Sequence, residues 1–203
     1  MTAVLSKAFG DLRRHPMQAV VVALIVLLAS GTGVIALTLM TQSNNPYDQA
    51  FAQQNGAHLQ AYFNGAKVDS SLLPSTAQAI GATEYAGPFP SGGIAIERGS
   101  VKFFLNLIGR DSPTAAVDRI HVVDGRWVSA PNDIALTKSF ADLNNISIGA
   151  RFKDVDLPQA PTVTVVGLVV DIDEGQADLS SQTAFVTASA LSLLVPKDAV
   201  GYA

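Results

Sequence analysis

The sequence predicts an α+β protein in which one N-terminal transmembrane helix is followed by a mixed α+β extracytoplasmic domain. Residues 17–40 form an apolar run without a charged residue. In residues 41–203, segments with strand periodicity outnumber helical ones and the two kinds occur in mixed order. This second stretch is long enough to bury a core of its own, so we expect one domain there.

The apolar run is long enough to be a permanent membrane span. As a helix, residues 17–40 would extend roughly 36 Å, and a bilayer core of about 30 Å needs about 20 apolar residues. A cleaved signal peptide is the alternative, but its apolar core usually has only about 7–15 residues before a small-x-small site. Here the run ends in "LTLMTQSNN", which lacks an A-x-A pattern. The sequence therefore favours an uncleaved anchor.

The distribution of basic residues predicts the orientation of this span. Three basic side chains precede it: Lys7, Arg13 and Arg14. The next basic residue is Lys67. Under the positive-inside rule, residues 1–16 are a cytoplasmic basic N-terminus, and residues 41–203 lie outside the cell membrane.

Small residues recur near one face of the predicted span: Ala19, Ala23, Ser30 and Gly33. Small side chains let membrane helices approach closely, so this face would pack against other spans. The alternative is that Gly and Ala are simply common in such helices.

The segment after the span predicts a helical stem over residues 41–56, with Pro46 in a first turn and Gly56 as a stop. It is either a continuation of the membrane helix or a short helix just outside. The extracytoplasmic domain then covers residues 57–203. "AHLQAYFN" alternates like a strand, and "SSLLPSTAQAIG" is typical of a short helix, with Pro74 near its start and Gly81 after its end.

The rest of the domain is predicted to be mainly strands. Residues 92–97 and 101–109 are joined by the tight "RGS" turn, and the strand in "RIHVVDGRW" ends at Gly125. Further along, the predicted elements are a short strand over 133–136, a helix over 138–143, strands in "ISIGARFKDV" and "TVTVVGLVVDI", and a strand turning into a helix in "TAFVTASALSLLV".

Composition and motifs argue against several functions. Residues 41–203 carry an excess of acidic side chains, which disfavours nucleic-acid binding, and the chain has no Cys. Its three His residues are widely spaced, and neither H-E-x-x-H nor G-x-S-x-G occurs. The acidic cluster at 171–178, "DIDEGQAD", departs from the EF-hand spacing and is more typical of a solvated loop. We therefore predict no enzymatic activity, no cofactor and no metal site.

Two stretches carry a resemblance to a known family: "LRRHPMQAVVVALIVLLASGTGVIAL", and "DGRWVSAPNDIALTKSFADLNNISIGARF" followed by "TVTVVGLVVDI". They resemble the first span and the extracytoplasmic core domain of FtsX-type, MacB-like ABC transporter permeases. The positions that match the family pattern are Gly125, Arg126, Trp127, Asp133, Gly149 and Gly167. The resemblance covers nearly the whole chain without a single decisive motif.

The resemblance implies a membrane permease subunit that couples ATP hydrolysis to substrate handling outside the membrane. The sequence has no G-x-x-x-x-G-K-[ST] loop, so a separate ABC ATPase subunit would hydrolyse ATP. The implied partners also include membrane lipid and other permease spans or a second permease copy. A complete permease of this kind would continue through the rest of its core domain and three more spans, so we expect residues 57–203 to be an incomplete domain.

Two other hypotheses remain. The chain could be a stand-alone single-span protein, such as a sensor or adaptor, whose outer domain binds a ligand or partner. An anchored hydrolase is a third class, although no catalytic constellation supports it.

Overall fold

The computed structural model describes residues 16–155, 157, 159, 161–172 and 182–203. The basic N-terminal segment and most of the acidic cluster at 171–178 lie outside the described residues, and the expectations for them stay predictions. The contacts divide the chain between residues 49 and 50 into two compact units.

The first unit is formed by the long helix α1, which begins at Pro16 and continues into the second unit as far as Gln54. Its part Pro16–Met40 is long and apolar enough to cross a membrane, by length and composition. The hydroxyl groups of Ser30, Thr32 and Thr38 donate hydrogen bonds to backbone carbonyls three or four residues earlier. These polar side chains are therefore satisfied within the helix itself, as a lipid environment requires.

In the structure the predicted stem is part of helix α1 and not a separate helix. Helix α1 runs without a break through Pro46, although a proline lacks the backbone N–H that the helical ladder uses. The second compact unit begins at residue 50, within the last turns of α1.

The second unit is a mixed α+β domain, as the sequence predicts. Its elements in chain order are β1 Phe63–Asn64, α2 Leu73–Ala79, β2 Pro90–Arg98, β3 Val101–Gly109, β4 His121–Gly125, β5 Asp133–Thr137, α3 Lys138–Leu143, β6 Arg151–Asp154, β7 Val163–Val170, β8 Gln182–Val186, α4 Ala188–Leu194 and β9 Gly201–Tyr202. Two 3-10 turns, Ser70–Leu72 and Lys197–Ala199, precede α2 and β9.

Hydrogen bonding between six of the strands closes on itself. Along the sheet the order is β1-β9-β2-β3-β8-β5-β7-β4, and β6 pairs with both β2 and β7. The strands β2, β3, β8, β5, β7 and β6 therefore form a ring of neighbours. The β3–β8 and β5–β7 pairs are parallel, and the other four pairs of the ring are antiparallel.

Alternating side chains of these strands form two cores. The larger core takes one face of the ring strands together with helices α3 and α4; its largest fully buried strand residues include Ile96, Leu105, Leu107, Ile134, Leu136, Phe152, Val163 and Val165. A smaller cluster covers the opposite face of β5, β7 and β8 and consists of Ile120, Val128, Ala135, Val169 and Phe185. Because β5 is buried on both faces, its whole sequence is apolar between Asp133 and Thr137.

The predicted strand in "AHLQAYFN" is largely wrong, because only Phe63 and Asn64 pair, with β9. Leu59 is 69% exposed, so the alternation in this segment does not correspond to a buried face. His58 lies in irregular chain and contacts the ring of Phe51 edge-on at 5.0 Å. The strand predicted in "ISIGARFKDV" begins only at Arg151, and β9 itself is not among the predicted elements.

Candidate functional site

The candidate site is a turn docked onto an irregularity in β7. Between β5 and β7 the register shifts by one residue: Ile134 lies opposite Val165, whereas Ala135 lies opposite Gly167. Val166 is thus the extra residue of a β-bulge. Towards β4, the backbone N–H of Arg126 donates to the carbonyl of Val166 at 3.0 Å, next to the Gly125–Gly167 pair of β4 and β7.

Two glycines allow the turn to approach β7 this closely. A Cβ at Gly167 would overlap the carbonyl oxygen of Arg126, and a Cβ at Gly125 would overlap the carbonyl oxygen of Val166. Gly125 also has a φ of +74°, which disfavours other residues. Backbone atoms cannot move aside as a side chain can, so both positions of the family-like pattern require glycine for steric reasons.

The turn is pinned by an ion pair between Arg126 and Asp133. Two guanidinium nitrogens of Arg126 lie 2.6 and 3.0 Å from the two carboxylate oxygens of Asp133. The backbone N–H groups of Ser129 and Ala130 also donate to this carboxylate, each at 2.9 Å. Asp133 is only 4% exposed, and the bonds compensate for the desolvation of its charge.

Burial and hydrogen bonding have opposite effects on the pKa of Asp133, and hydrogen bonding dominates. Burial by itself raises the pKa of a carboxyl group, but the hydrogen bonds from Arg126, Ser129 and Ala130 and the charge of Arg126 outweigh it. The pKa of Asp133 consequently falls from 3.8 to about 2. The hydrogen bond to Asp133 raises the pKa of Arg126 in turn. The pair is ionised at neutral pH, and Asp133 cannot act there as a proton donor.

Trp127 joins the turn to the smaller core. Its ring lies 5.5 Å from that of Phe185, and its indole N–H donates to the backbone carbonyl of Arg110 at 3.2 Å. Gly149, which also belongs to the pattern, has a φ of +87° and donates its N–H to the carbonyl of Val165 at 2.7 Å. All six pattern residues therefore belong to one local arrangement around β5 and the bulge in β7.

The small residues of the predicted span all lie on helix α1. Ala23, Ser30 and Gly33 are exposed, and a Cβ at Gly33 would meet nothing within 4 Å. Ala19 lies on the same helix. Nothing in the described chain packs on this face, so its role as a packing surface stays a prediction.

The pinned turn is built to hold backbone segments together. The Arg126 and Asp133 charges neutralise each other, and each carboxylate oxygen has at least one donor. In the described part of the chain, no three His, Asp or Glu side chains lie close enough together to hold a metal ion.

Sequence reasoning missed a second ion pair, between Arg110 and Asp118. Their side chains lie 2.9 Å apart, and Arg110 is only 2% exposed. Arg110 directly follows the apolar strand β3, which is the only local signal for its burial. No spacing rule connects it with Asp118, because the two are paired by the path of the intervening loop.

Comparisons with known proteins give matches among solved structures. No family model matches the chain, and no curated protein matches it either. The fold is similar to a domain of a predicted permease protein from Porphyromonas gingivalis, with a TM-score of 0.41 and 12% identity over 63% of this chain and 59% of that one. It is also similar to the extracellular domain of the noncanonic ABC-type transporter YknZ from Gram-positive bacteria, with a TM-score of 0.40 and 15% identity over 61% of this chain and 67% of that one.

Proposed function

We propose that this chain is the first membrane span and extracytoplasmic domain of an FtsX-type, MacB-like ABC transporter permease. In this role it couples ATP hydrolysis by a separate subunit to the handling of a substrate outside the membrane. The carrying observation is the single helix Pro16–Gln54, whose part Pro16–Met40 is long and apolar enough to cross a membrane and whose last residues belong to the second unit.

The length of α1 supports a mechanical role. Residues 17–40 would cross the bilayer, and residues 41–54 add roughly 21 Å of helix at about 1.5 Å per residue. A continuous helix resists bending at every hydrogen-bonded turn, whereas a flexible linker would absorb a displacement of the span. We infer that residues 41–54 form the coupling stem between the membrane and the domain.

The pinned turn supports the family assignment at the level of residues. The sequence pattern singled out Gly125, Arg126, Asp133 and Gly167 as matching the family, and the fold uses each of them for a specific steric or electrostatic purpose. We propose that they hold the turn firmly against β5 and β7, so that this part of the domain keeps its geometry when force is applied through α1.

The orientation can be tested with single cysteines, since the natural chain has none. Leu143 is 81% exposed, so a Leu143→Cys variant presents an accessible thiol. We expect a membrane-impermeant maleimide to label it in intact cells whose outer membrane, if any, has been permeabilised. A Ser6→Cys variant should be labelled only after lysis. The reverse pattern would contradict the proposed topology.

The permease assignment can be tested by photo-crosslinking from two faces of the span. A photoreactive residue at Ala23 or Gly33 should crosslink to further membrane spans. Leu28 and Ile35 lie roughly opposite on the helix at about 100° per residue and should crosslink mainly to lipid. The crosslinked assembly should also contain a subunit with a phosphate-binding loop. Lipid adducts alone at all four positions would favour the stand-alone single-span protein instead.

A further inference from the structure

We propose that the buried Arg110 is a joint that ties the end of helix α1 to strand β9, so that a displacement of one is passed to the other. The proposal rests on the proposed function, in which α1 transmits movement to the domain. It assigns that transmission to a particular side chain outside the family-like pattern.

The backbone of Arg110 is fixed to the body of the domain. Its N–H donates to the carbonyl of Val186 at the end of β8, at 2.8 Å. Its own carbonyl accepts the indole N–H of Trp127 at 3.2 Å. With both backbone groups bonded, the side chain starts from a defined position in the fold.

On one side, the guanidinium group of Arg110 reaches the segment that receives the end of α1. One of its nitrogens lies 2.9 Å from the carboxylate of Asp118, and another donates to the backbone carbonyl of the same residue. The N–H groups of Asp118 and Arg119 donate to the carbonyls of Asn55 and Gln54, each at 2.8 Å. Arg110 is thus two bonded contacts away from the last residues of the helix.

On the other side, the same guanidinium group contacts the start of β2. It lies over the ring of Phe89, 4.5 Å from the ring centroid, as in a cation–π interaction. Phe89 and Ala203 exchange two backbone hydrogen bonds, of 2.8 and 2.9 Å. The segment that follows β9 is therefore held to Arg110 through Phe89.

The buried groups around Arg110 carry a cost in folding free energy. Three buried polar atoms around the joint have no hydrogen-bond partner among the described residues: Oε1 of Gln54, Nε of Arg110 and Oδ1 of Asp118. An unsatisfied buried polar group costs about 1–3 kcal/mol, and apolar residues often replace a buried ion pair at no loss of stability. This cost favours a joint over a packing element.

The test is amide hydrogen exchange of the full chain in lipid nanodiscs, with the end of α1 loosened on purpose. An Asn55→Gly substitution tolerates the positive φ of 49° at this position and removes the side-chain bonds to the carbonyl of Ala116 and the carboxylate of Glu84. We expect exchange at Phe89 and Ala203 to accelerate by roughly ten-fold, as the loss of about one hydrogen bond implies. In an Arg110→Met background the same substitution should change those amides less than about two-fold.

The controls separate a joint from a general loss of stability. The amide of Gly149, bonded to Val165, should stay slow in every variant, and an Asp142→Asn variant in an exposed ion pair should change none of these amides. If Arg110→Met also accelerates amide exchange at Gly149, the experiment is repeated with Arg110→Lys in place of Arg110→Met. The proposal would be overturned if exchange at Ala203 accelerated equally with and without the Arg110 side chain, or did not accelerate at all. No ATPase is present, so this result is independent of the crosslinking test above.

Discussion

Replacing Asp133 by asparagine should destabilise the domain and remove a defined part of its acid sensitivity. The pKa of Asp133 is lowered from 3.8 to about 2 in the folded state. Each pKa unit corresponds to about 1.4 kcal/mol, so ionised Asp133 contributes about 2 kcal/mol to the free energy of unfolding at neutral pH. An asparagine at this position would also turn an amide N–H₂ towards a donor, either Arg126 or the backbone N–H groups of Ser129 and Ala130.

The sign of the pH dependence follows from the direction of the shift. Because the folded-state pKa is lower than the unfolded one, the contribution is fully present above about pH 4–5 and is lost as pH falls through about 2. The wild-type chain should therefore lose this stability on acidification, and Asp133→Asn should not. The difference between the two chains should be about 2 kcal/mol at pH 7 and should shrink by more than half near pH 2.

The assay is urea unfolding of the full chain in detergent micelles at pH 7, 4 and 2.5, followed by tryptophan fluorescence. Trp127 is the only tryptophan and adjoins Arg126, so the signal reports on the region of the ion pair. Asp142→Asn is the matched control, because it removes a carboxylate from an exposed pair with Lys138 and should cost no more than about 0.5 kcal/mol. A gap between Asp133→Asn and wild type that is equally large at all three pH values would refute the electrostatic explanation.

Two further predictions concern the docking of the turn. Gly167→Ala should lower the free energy of unfolding by about 1–3 kcal/mol, since its methyl group would overlap the carbonyl oxygen of Arg126. The control is Gly93→Ala, whose methyl group would meet nothing within 4 Å. It should change the free energy of unfolding by less than about 1 kcal/mol in the same urea assay. Equal effects of the two alanines would contradict the steric argument. Trp127→Phe should cost about 1 kcal/mol or more in thermal unfolding followed by circular dichroism, because the carbonyl of Arg110 loses its indole donor; an unchanged melting temperature would show that this bond contributes nothing.

Local patterns in the sequence were sufficient for most of the secondary structure. Helix α3, Lys138–Leu143, and strand β3, Val101–Gly109, have the predicted bounds, since polar turns delimit both and their periodicity is unambiguous. The failed strand at 57–64 shows the limit of this reasoning. Alternation predicts a strand only where a partner covers the apolar face, and β9 reaches no further than Phe63 and Asn64.

The family-like pattern gave a set of residues but not their arrangement, and their functional role stays a prediction. The family-like pattern identified Gly125, Arg126, Asp133 and Gly167 without indicating that Arg126 and Asp133 pair. Their contact depends on β4 and β5 both pairing with β7, which brings the turn after β4 next to the start of β5. Strand pairing results from the fit between neighbouring strands, so no strand's own sequence specifies it.

The amino-acid sequence by itself determined an apolar helix of membrane length, a mixed α+β domain and the residue types of the pinned turn. These depend on hydrophobicity and on interactions between near neighbours, which a linear pattern records. Only the tertiary structure decided that six strands close into a ring through β6, and that Arg110 is buried between Asp118 and Phe89. Such contacts join residues distant along the chain, and the free energy that selects them comes from packing the whole domain.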